Sequence, residues 1–220
     1  FAAGECSWTY HGANRLGANS LLSASVDGWF TLPFTIPNYL ADHLGEDKLA
    51  EDSEAAQNAL QRAQGRIDRL MNVRGNDPHG PAYYHRQLGE LLYWGCGVSR
   101  NVEDLKTTIG KIRELRAEFW ANVRIPGSAE DMNQVLEYGA RVADYLDLGE
   151  LMCIDALDRD ESCGAHFRDD HLSEDGEAER DDERWCFVSA WEAGEGEHEF
   201  IRHAEPLYFD SIPLMTRNYK

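Results

Sequence analysis

The sequence predicts an α+β fold in three parts: the end of an α/β domain in residues 1–45, an antiparallel helical bundle in 46–158, and an acidic loop with a small β hairpin in 159–220. Three observations predict it. A strand-like opening runs into a turn rich in glycine and asparagine, and apolar residues then recur at three- and four-residue steps through the middle of the chain. Near the end, β-forming residues flank a glycine turn.

The first part is expected to open with a strand that ends near residue 5. Residues 11–20 then form a turn, and residues 21–26, which are small and apolar, are expected to form a buried helix. Asn19 or Ser20 is the expected N-cap, because a side-chain oxygen at that position accepts a free backbone N–H. Two prolines are expected to break the structure that follows, Pro33 and Pro37.

The middle part is expected to contain three or four amphipathic helices whose short connections make them pack antiparallel. The first has an apolar stripe at Leu49, Ala56, Leu60, Ala63, Ile67 and Leu70, and a shorter helix runs from Pro81 to about Trp94. An acidic, capped first turn at 101–104 begins the next, with its stripe at Val102, Leu105, Ile109, Ile112, Leu115, Phe119 and Val123. Ser128, with Glu130 and Asp131, is expected to begin the last, with its stripe at Met132, Val135, Leu136, Val142, Leu146 and Leu151.

The last part is expected to be a β hairpin, formed by residues 184–191 and 198–208 around the glycine turn at 194–196. The acidic segment before it, at 158–183, is expected to be a linker or an ordered surface loop. The tryptophans, Trp94, Trp120, Trp185 and Trp191 among them, are expected to anchor the core or an interface.

Composition limits the classes of function. The chain has 40 acidic and 21 basic residues and a net charge of −19, which excludes nucleic acid as a partner because such a field repels phosphates. It would also repel a free dicarboxylate, so any anion site must depend on local positive groups.

Five scattered cysteines contain no C-x-x-C pair, which excludes a zinc ribbon or an iron–sulfur cluster and favours a reducing compartment. No apolar run is long enough to cross a membrane, and the opening at Phe1 indicates a fragment rather than a signal peptide.

The amino-terminal segment contains the residues that favour chemistry. A carboxylate at the end of a strand, here Glu5, accepts the hydroxyls of a ribose in dinucleotide-binding sheets, although most Gly-Glu pairs are ordinary strand ends. The helix after Ser20 directs its free N–H groups back at the turn, where they would stabilise negative charge on a ligand. Arg15 lies within the turn, and its guanidinium is suited to clamp a carboxylate; the alternative is a salt bridge within the loop.

Two blocks resemble a known family. The segment FAAGE at residues 1–5, followed by HGANRLGANSLL at 11–22, closely resembles the flavin-proximal motif of succinate dehydrogenase and fumarate reductase flavoprotein subunits, with bacterial-type residues after Leu22. The second block, ESCGAHFRDD at 161–170 followed by ERDDERW at 179–185, resembles the carboxy-terminal signature of that family. The resemblance covers this chain and only about the last third of a family member.

The resemblance implies that the α/β part belongs to an FAD-binding domain. Glu5 would bind the FAD ribose, Arg15 would bind a carboxylate of succinate or fumarate, and Ser20 and Leu21 would contact the isoalloxazine ring. The implied reaction is hydride transfer between the dicarboxylate and FAD. Electrons would pass to an iron–sulfur partner subunit and to quinone in membrane anchor subunits, on the cytoplasmic side of the bacterial plasma membrane. The phosphate-binding loop and the proton-donating arginine of the family would lie upstream of Phe1.

The chain departs from the family pattern at Cys163, where the family has arginine, and in an insertion near residues 172–176. Other functions stay open. An aspartate oxidase shares a related turn, although the Arg-Asp-Asp block at 180–182 favours the succinate enzyme, and a non-catalytic helical module that docks an electron-transfer partner is a third possibility. No metal site is expected at His198 and His203, since the spacing is not His-Glu-x-x-His. Structural or surface roles are expected for His79, His85 and His166.

Overall fold

The computed structural model describes residues 1–7, 11, 15, 17–196 and 198–215. The chain divides into two compact units, Phe1–Arg62 and Ala63–Lys220. The predicted α+β class is confirmed: most elements are helices, and the two strands form one antiparallel pair near the carboxyl end. The predicted division into three parts stays a prediction.

The opening of the first unit is a 3₁₀ helix, Gly4–Ser7, and not the predicted strand. A strand needs a neighbouring strand for its backbone groups, and the described part of this unit contains none. Gly4 instead has φ of 64°, a left-handed conformation that glycine adopts without steric cost. Its N–H donates to the Oδ2 atom of the buried Asp27 across 2.7 Å, and this bond holds the opening turn in place.

Helix α1 (Asn19–Val26) lies where a helix is predicted, but its surroundings differ from the prediction. Its N-cap is Ala18, with φ of 65°, and neither Asn19 nor Ser20 caps it. The helix buries none of its residues, so the predicted burial is wrong: Leu21 is 74% exposed and Leu22 is 62% exposed. Small apolar side chains favour burial only where another layer covers them, and the described residues of this unit supply no such layer.

Two prolines do not break the chain as predicted. A π-helical turn, Asp27–Thr31, leads directly into helix α2 (Leu32–Leu40), which is followed by a short 3₁₀ helix at Ala41–His43. Pro33 lies in the first turn of α2, where no backbone N–H is needed. Pro37 lies inside α2 and removes a single hydrogen-bond donor, which this short helix tolerates.

Helix α3 (Glu54–Met71) exposes more of its predicted stripe than expected. Leu70 is its buried residue, whereas Leu60 is exposed and Leu49 precedes the helix. The pattern of apolar residues is right for a helix, but it does not indicate whether another element covers the stripe.

Helices α4 (Pro81–Gly95), α5 (Val102–Asn122) and α6 (Gln134–Asp158) form the core of the second unit. The predicted stripe of α5 is confirmed, because its members from Leu105 to Val123 are buried. The cap of α5 is confirmed as well: the Asn101 side chain accepts the N–H of Asp104 across 2.9 Å. The core contains Leu70, Tyr84, Leu88, Cys96, Leu105, Ile109, Ile112, Leu115, Phe119, Val123, Val142, Ala143, Leu146, Cys153 and Ala156.

The start of α6 is not where the sequence predicts it. Ser128 accepts the N–H of Glu130 in a local turn, and the helix begins only after Asn133. The Asn133 Oδ1 atom accepts from the N–H groups of Val135 and Leu136, each across 3.1 Å. Met132, expected in the stripe, is 97% exposed because it precedes the helix.

The predicted hairpin is confirmed. A one-turn helix, α7 (Asp182–Trp185), leads into strand β1 (Phe187–Ala193), which pairs antiparallel with β2 (Phe200–Pro206). The register aligns Phe187 with Pro206 and Ala193 with Phe200. No helix among the described residues is both long and apolar enough to cross a membrane.

Candidate functional site

The residues assigned to cofactor and substrate binding all lie in the first unit. Arg15 is exposed, Ser20 is half-buried at the second position of α1, and Leu21 follows it with an exposed side chain. Glu5 lies in the opening 3₁₀ helix. The rest of the glycine and asparagine turn, residues 12–14 and 16, lies outside the described residues.

No side chain among the described residues caps the amino end of α1. Its N-cap, Ala18, has no hydrogen-bonding side chain, and the first turn contains no acidic residue. The Leu22 N–H donates to the Ala18 carbonyl across 3.3 Å, but no described side chain caps the N–H groups that precede it. The positive end of the helix dipole is therefore available to stabilise a bound negative charge.

A cavity of about 280 Å³ lies beside α1, lined by His11, Asn19, Leu22, Ser23, Val26, Asp27 and Thr31. The His11 Nε2 atom lies 3.4 Å from the Ser23 hydroxyl, which also donates to the Ser20 carbonyl. Asp27 closes one wall and holds the Gly4 N–H. Asp27 is not among the site residues that the sequence predicts. The feature that could have indicated it is a single carboxylate between Val26 and Gly28 in an apolar stretch.

The carboxy-terminal signature is a structural centre of the second unit, built around Arg168, which is fully buried. Its guanidinium binds the Asp170 carboxylate through two hydrogen bonds of 2.7 and 2.9 Å, and this pairing lowers the pKa of Asp170 to about 2. Its Nη1 atom donates to the carbonyls of Ala156 and Arg159 at the end of α6, each across 3.2 Å. One arginine thus holds the acidic loop and caps a helix.

His166 connects that loop to the start of α5. Its Nδ1 atom lies 2.9 Å from the Arg100 guanidinium, and its Nε2 atom lies 2.8 Å from the Arg159 carbonyl. Burial lowers its pKa, and the nearby arginines Arg100, Arg168 and Arg159 lower it further, against the opposing hydrogen bond to the carbonyl. A ring held at both nitrogens by these groups has the structural role expected from the sequence.

Glu161 is the second buried charge of the signature. One of its oxygens accepts from Arg159 across 2.8 Å, and the other accepts the Asp181 N–H across 2.9 Å. Cys163, at the family's arginine position, is half-buried, and burial raises the pKa of its thiol. Arg159 and Arg180 both lie near that thiol, so other arginines supply positive charge to the loop.

The histidines weighed as metal ligands are engaged with single carboxylates. His203 contacts Glu192 across 2.7 Å on the hairpin, and His198 contacts Glu150 of α6 across 3.0 Å. Within the described ranges, no group of three or more histidine, cysteine or acidic side chains is arranged to hold a metal.

Comparison with known proteins identifies the family. The model of the family described as "Fumarate reductase flavoprotein C-term" matches residues 85–219. The succinate dehydrogenase flavoprotein subunit of Bacillus subtilis (strain 168) is 32% identical over 210 residues, which cover 91% of this chain and 33% of that protein. The fumarate reductase flavoprotein subunit of Proteus vulgaris is 33% identical over 183 residues, covering 83% and 28%.

Solved structures agree. A quinol fumarate reductase structure from Escherichia coli matches with a TM-score of 0.76 at 30% identity, covering 97% of this chain and 34% of that chain. The chain spans about a third of the length of these relatives. It therefore belongs to the family of succinate dehydrogenase and fumarate reductase flavoprotein subunits, and it contains their C-terminal region.

Proposed function

We propose that the full-length protein containing this chain oxidises succinate or reduces fumarate with FAD, and that residues 1–26 form one wall of its active site. The main support is the amino end of α1, which none of the described side chains caps and which lies next in sequence to the turn that contains the exposed Arg15. A chain with a net charge of −19 repels anions, so it needs local positive groups to bind one, and these two features would supply them.

The residues present fit a flavin. Leu21 and Leu22 expose apolar side chains on the first turns of α1, where a planar ring would bury them. The uncapped N–H groups would donate to the pyrimidine edge of the ring, and Glu5 would accept from the ribose hydroxyls. When bound, FAD supplies the acceptor for a hydride and gains negative charge, which the helix dipole would stabilise without moving any side chain.

Arg15 would bind the substrate. A guanidinium donates two parallel hydrogen bonds to a carboxylate and stays protonated at any working pH, so it would fix a dicarboxylate in one orientation. Ser20 would contact the ring through its backbone at the start of α1, beside the substrate. Orientation of the two reactants is the contribution that this wall would make to the rate.

We further propose that electrons leave through an iron–sulfur subunit and reach quinone through membrane anchor subunits. In this arrangement the flavoprotein is peripheral, on the cytoplasmic side of the bacterial plasma membrane. The relatives are described as subunits, which supports a larger complex, and a similar solved structure is described as a quinol-fumarate reductase with menaquinol molecules, which supports quinone as the electron carrier.

Substitution of Arg15 tests the assignment. In the full-length protein, Arg15→Ala and Arg15→Lys are expected to lower turnover with succinate by roughly 100-fold or more while FAD stays bound, since neither replacement reproduces the two-pronged clamp. Turnover and flavin absorbance are measured on the same preparation. Arg62→Ala, an exposed arginine of α3, is the matched control and should leave both unchanged.

Three results would contradict the proposal. Undiminished succinate oxidation in Arg15→Ala would remove its role in substrate binding. Bleaching of the flavin by aspartate and not by succinate would identify an aspartate oxidase, and a colourless full-length protein would leave a docking module without redox chemistry.

A further inference from the structure

Asp27 is a buried carboxylate in a segment rich in apolar residues. It lies between Val26 and Gly28 and is 4% exposed. Burial of a carboxylate is costly unless hydrogen bonds offset its loss of contact with water. The Gly4 N–H supplies one such bond, which it donates to the Asp27 Oδ2 atom across 2.7 Å. The two residues are 23 positions apart, so this bond joins the opening 3₁₀ helix to the end of α1.

The opening 3₁₀ helix packs against one face of α1. Ser20, Ala24 and Asp27 recur at helical spacing, so they lie on the same face. Gly4 approaches this face closely: a Cβ atom at Gly4 would lie 3.3 Å from the Ala24 Cβ atom and 3.4 Å from its Cα atom. The φ of Gly4, 64°, is a value that other residues rarely adopt. A close contact and a hydrogen bond therefore hold the same short segment against α1.

We propose that Asp27 is a positioning residue for the cofactor, a role that rests on the FAD site proposed above. Glu5 follows Gly4 in the opening helix, so the bond that fixes Gly4 also fixes the backbone of Glu5. Ser20 lies at the start of the face of α1 that receives this helix. Asp27 thereby holds Glu5, the residue that binds the ribose, in a fixed position relative to the end of α1 that contacts the flavin ring.

The geometry distinguishes the hydrogen bond of Asp27 from its charge. Asparagine retains a side-chain oxygen that can accept the Gly4 N–H, so it preserves the bond without the charge. Alanine removes the acceptor and leaves the N–H of the buried Gly4 without this partner. If positioning depends on the bond, asparagine at this position should therefore retain what alanine loses.

Titration of FAD into the flavin-free full-length protein tests the inference, with binding measured from the quenching of flavin fluorescence. Asp27→Ala is expected to weaken FAD binding roughly tenfold, because it leaves a buried donor unpaired and releases the segment that contains Glu5. Asp27→Asn is expected to stay within about threefold of the unsubstituted protein, because it keeps the acceptor. Asp42→Ala removes an exposed carboxylate from the same unit and is the matched control, which should bind FAD unchanged.

A double-mutant cycle with Glu5→Gln separates positioning from a purely structural role. If Asp27 acts through Glu5, Asp27→Ala should weaken FAD binding less than about threefold once Glu5 is already substituted. A purely structural effect would multiply with the effect of Glu5→Gln. Gly4→Ala disturbs the other partner of the bond and is expected to weaken FAD binding as Asp27→Ala does. It decides the question if circular dichroism shows that Asp27→Ala does not fold.

The inference is overturned if Asp27→Ala, or Gly4→Ala in its place, binds FAD as the unsubstituted protein does. It is also overturned if Asp27→Asn loses as much affinity as Asp27→Ala, or if the two losses multiply in the cycle. In each of these cases the unsubstituted protein still binds FAD, so the proposed function stands. An unsubstituted full-length protein that binds no FAD overturns both.

Discussion

At the scale of single residues, the second unit depends on charges that are buried together with their partners. Glu150 of α6 is fully buried and lies 2.6 Å from Arg113 and 2.9 Å from Arg116, both on α5. It also contacts His198, which has φ of 76° in the hairpin turn. This carboxylate therefore ties two helices and the hairpin together. The sequence does not indicate this contact of His198, because its partners are distant in the chain.

Glu150→Ala is expected to destabilise the fold by about 3 kcal/mol, since it removes the fully buried carboxylate that pairs with Arg113 and with the nearly buried Arg116. Unfolding in urea measures the change. Asp147→Ala is the matched control: Asp147 binds the same Arg116 across 2.9 Å, but its side chain is 66% exposed, so its loss should cost less than about 1 kcal/mol. Equal costs for the two substitutions would show that burial does not decide the strength of this network.

The candidate site shows which single residues the sequence can identify and which it cannot. The roles proposed for Arg15, Ser20 and Leu21 rest on one contiguous motif, and the role proposed for Glu5 rests on the short segment before it, so the sequence alone is enough to suggest them. Glu150 acts through tertiary contacts that no local pattern indicates, and Asp27 leaves only the weak signal of a carboxylate in an apolar stretch. Trp94, expected to anchor the core or an interface, is 73% exposed.

At the scale of elements, periodicity predicts a helix more reliably than it predicts its ends or its burial. The stripe of α5 is continuous, and the structure buries it as the pattern requires. The stripe of α3 has the same period but stays largely exposed, because burial depends on a second element. The start of α6 is misplaced because Ser128 and Asn133 are both good caps, and only the folded loop selects between them.

The choice of cap gives a prediction about α6. Asn133→Ala removes an acceptor that serves two N–H groups and a side-chain amide that donates to the carbonyls of Pro126 and Ser128. It is expected to lower the free energy of unfolding by about 1–2 kcal/mol, measured in urea. Ser128→Ala removes only a local turn bond and should cost about 0.5 kcal/mol or less. A larger loss at Ser128 would restore the helix start that the sequence predicts.

At the scale of the whole molecule, the two units differ in how much apolar surface they bury. The hydrophobic core begins at Leu70 and belongs to the second unit. In the described part of the first unit, several large apolar residues are exposed, among them Phe1, Leu21, Leu22, Trp29, Phe30 and Phe34. The sequence predicts a buried helix there because its residues are small and apolar. Composition does not show whether another part of the protein covers them.

This contrast predicts how the chain behaves when it is divided. Ordering a residue costs about 1–2 kcal/mol of conformational entropy, which apolar burial must offset. A polypeptide of residues 63–220 has a core and is expected to unfold cooperatively on heating, whereas one of residues 1–62 should show no cooperative transition by circular dichroism. Differential scanning calorimetry provides the second measurement, since only the first polypeptide should give a heat-absorption peak. A sharp transition in residues 1–62 would mean that local hydrogen bonds, such as that between Gly4 and Asp27, suffice to hold that unit without an apolar core.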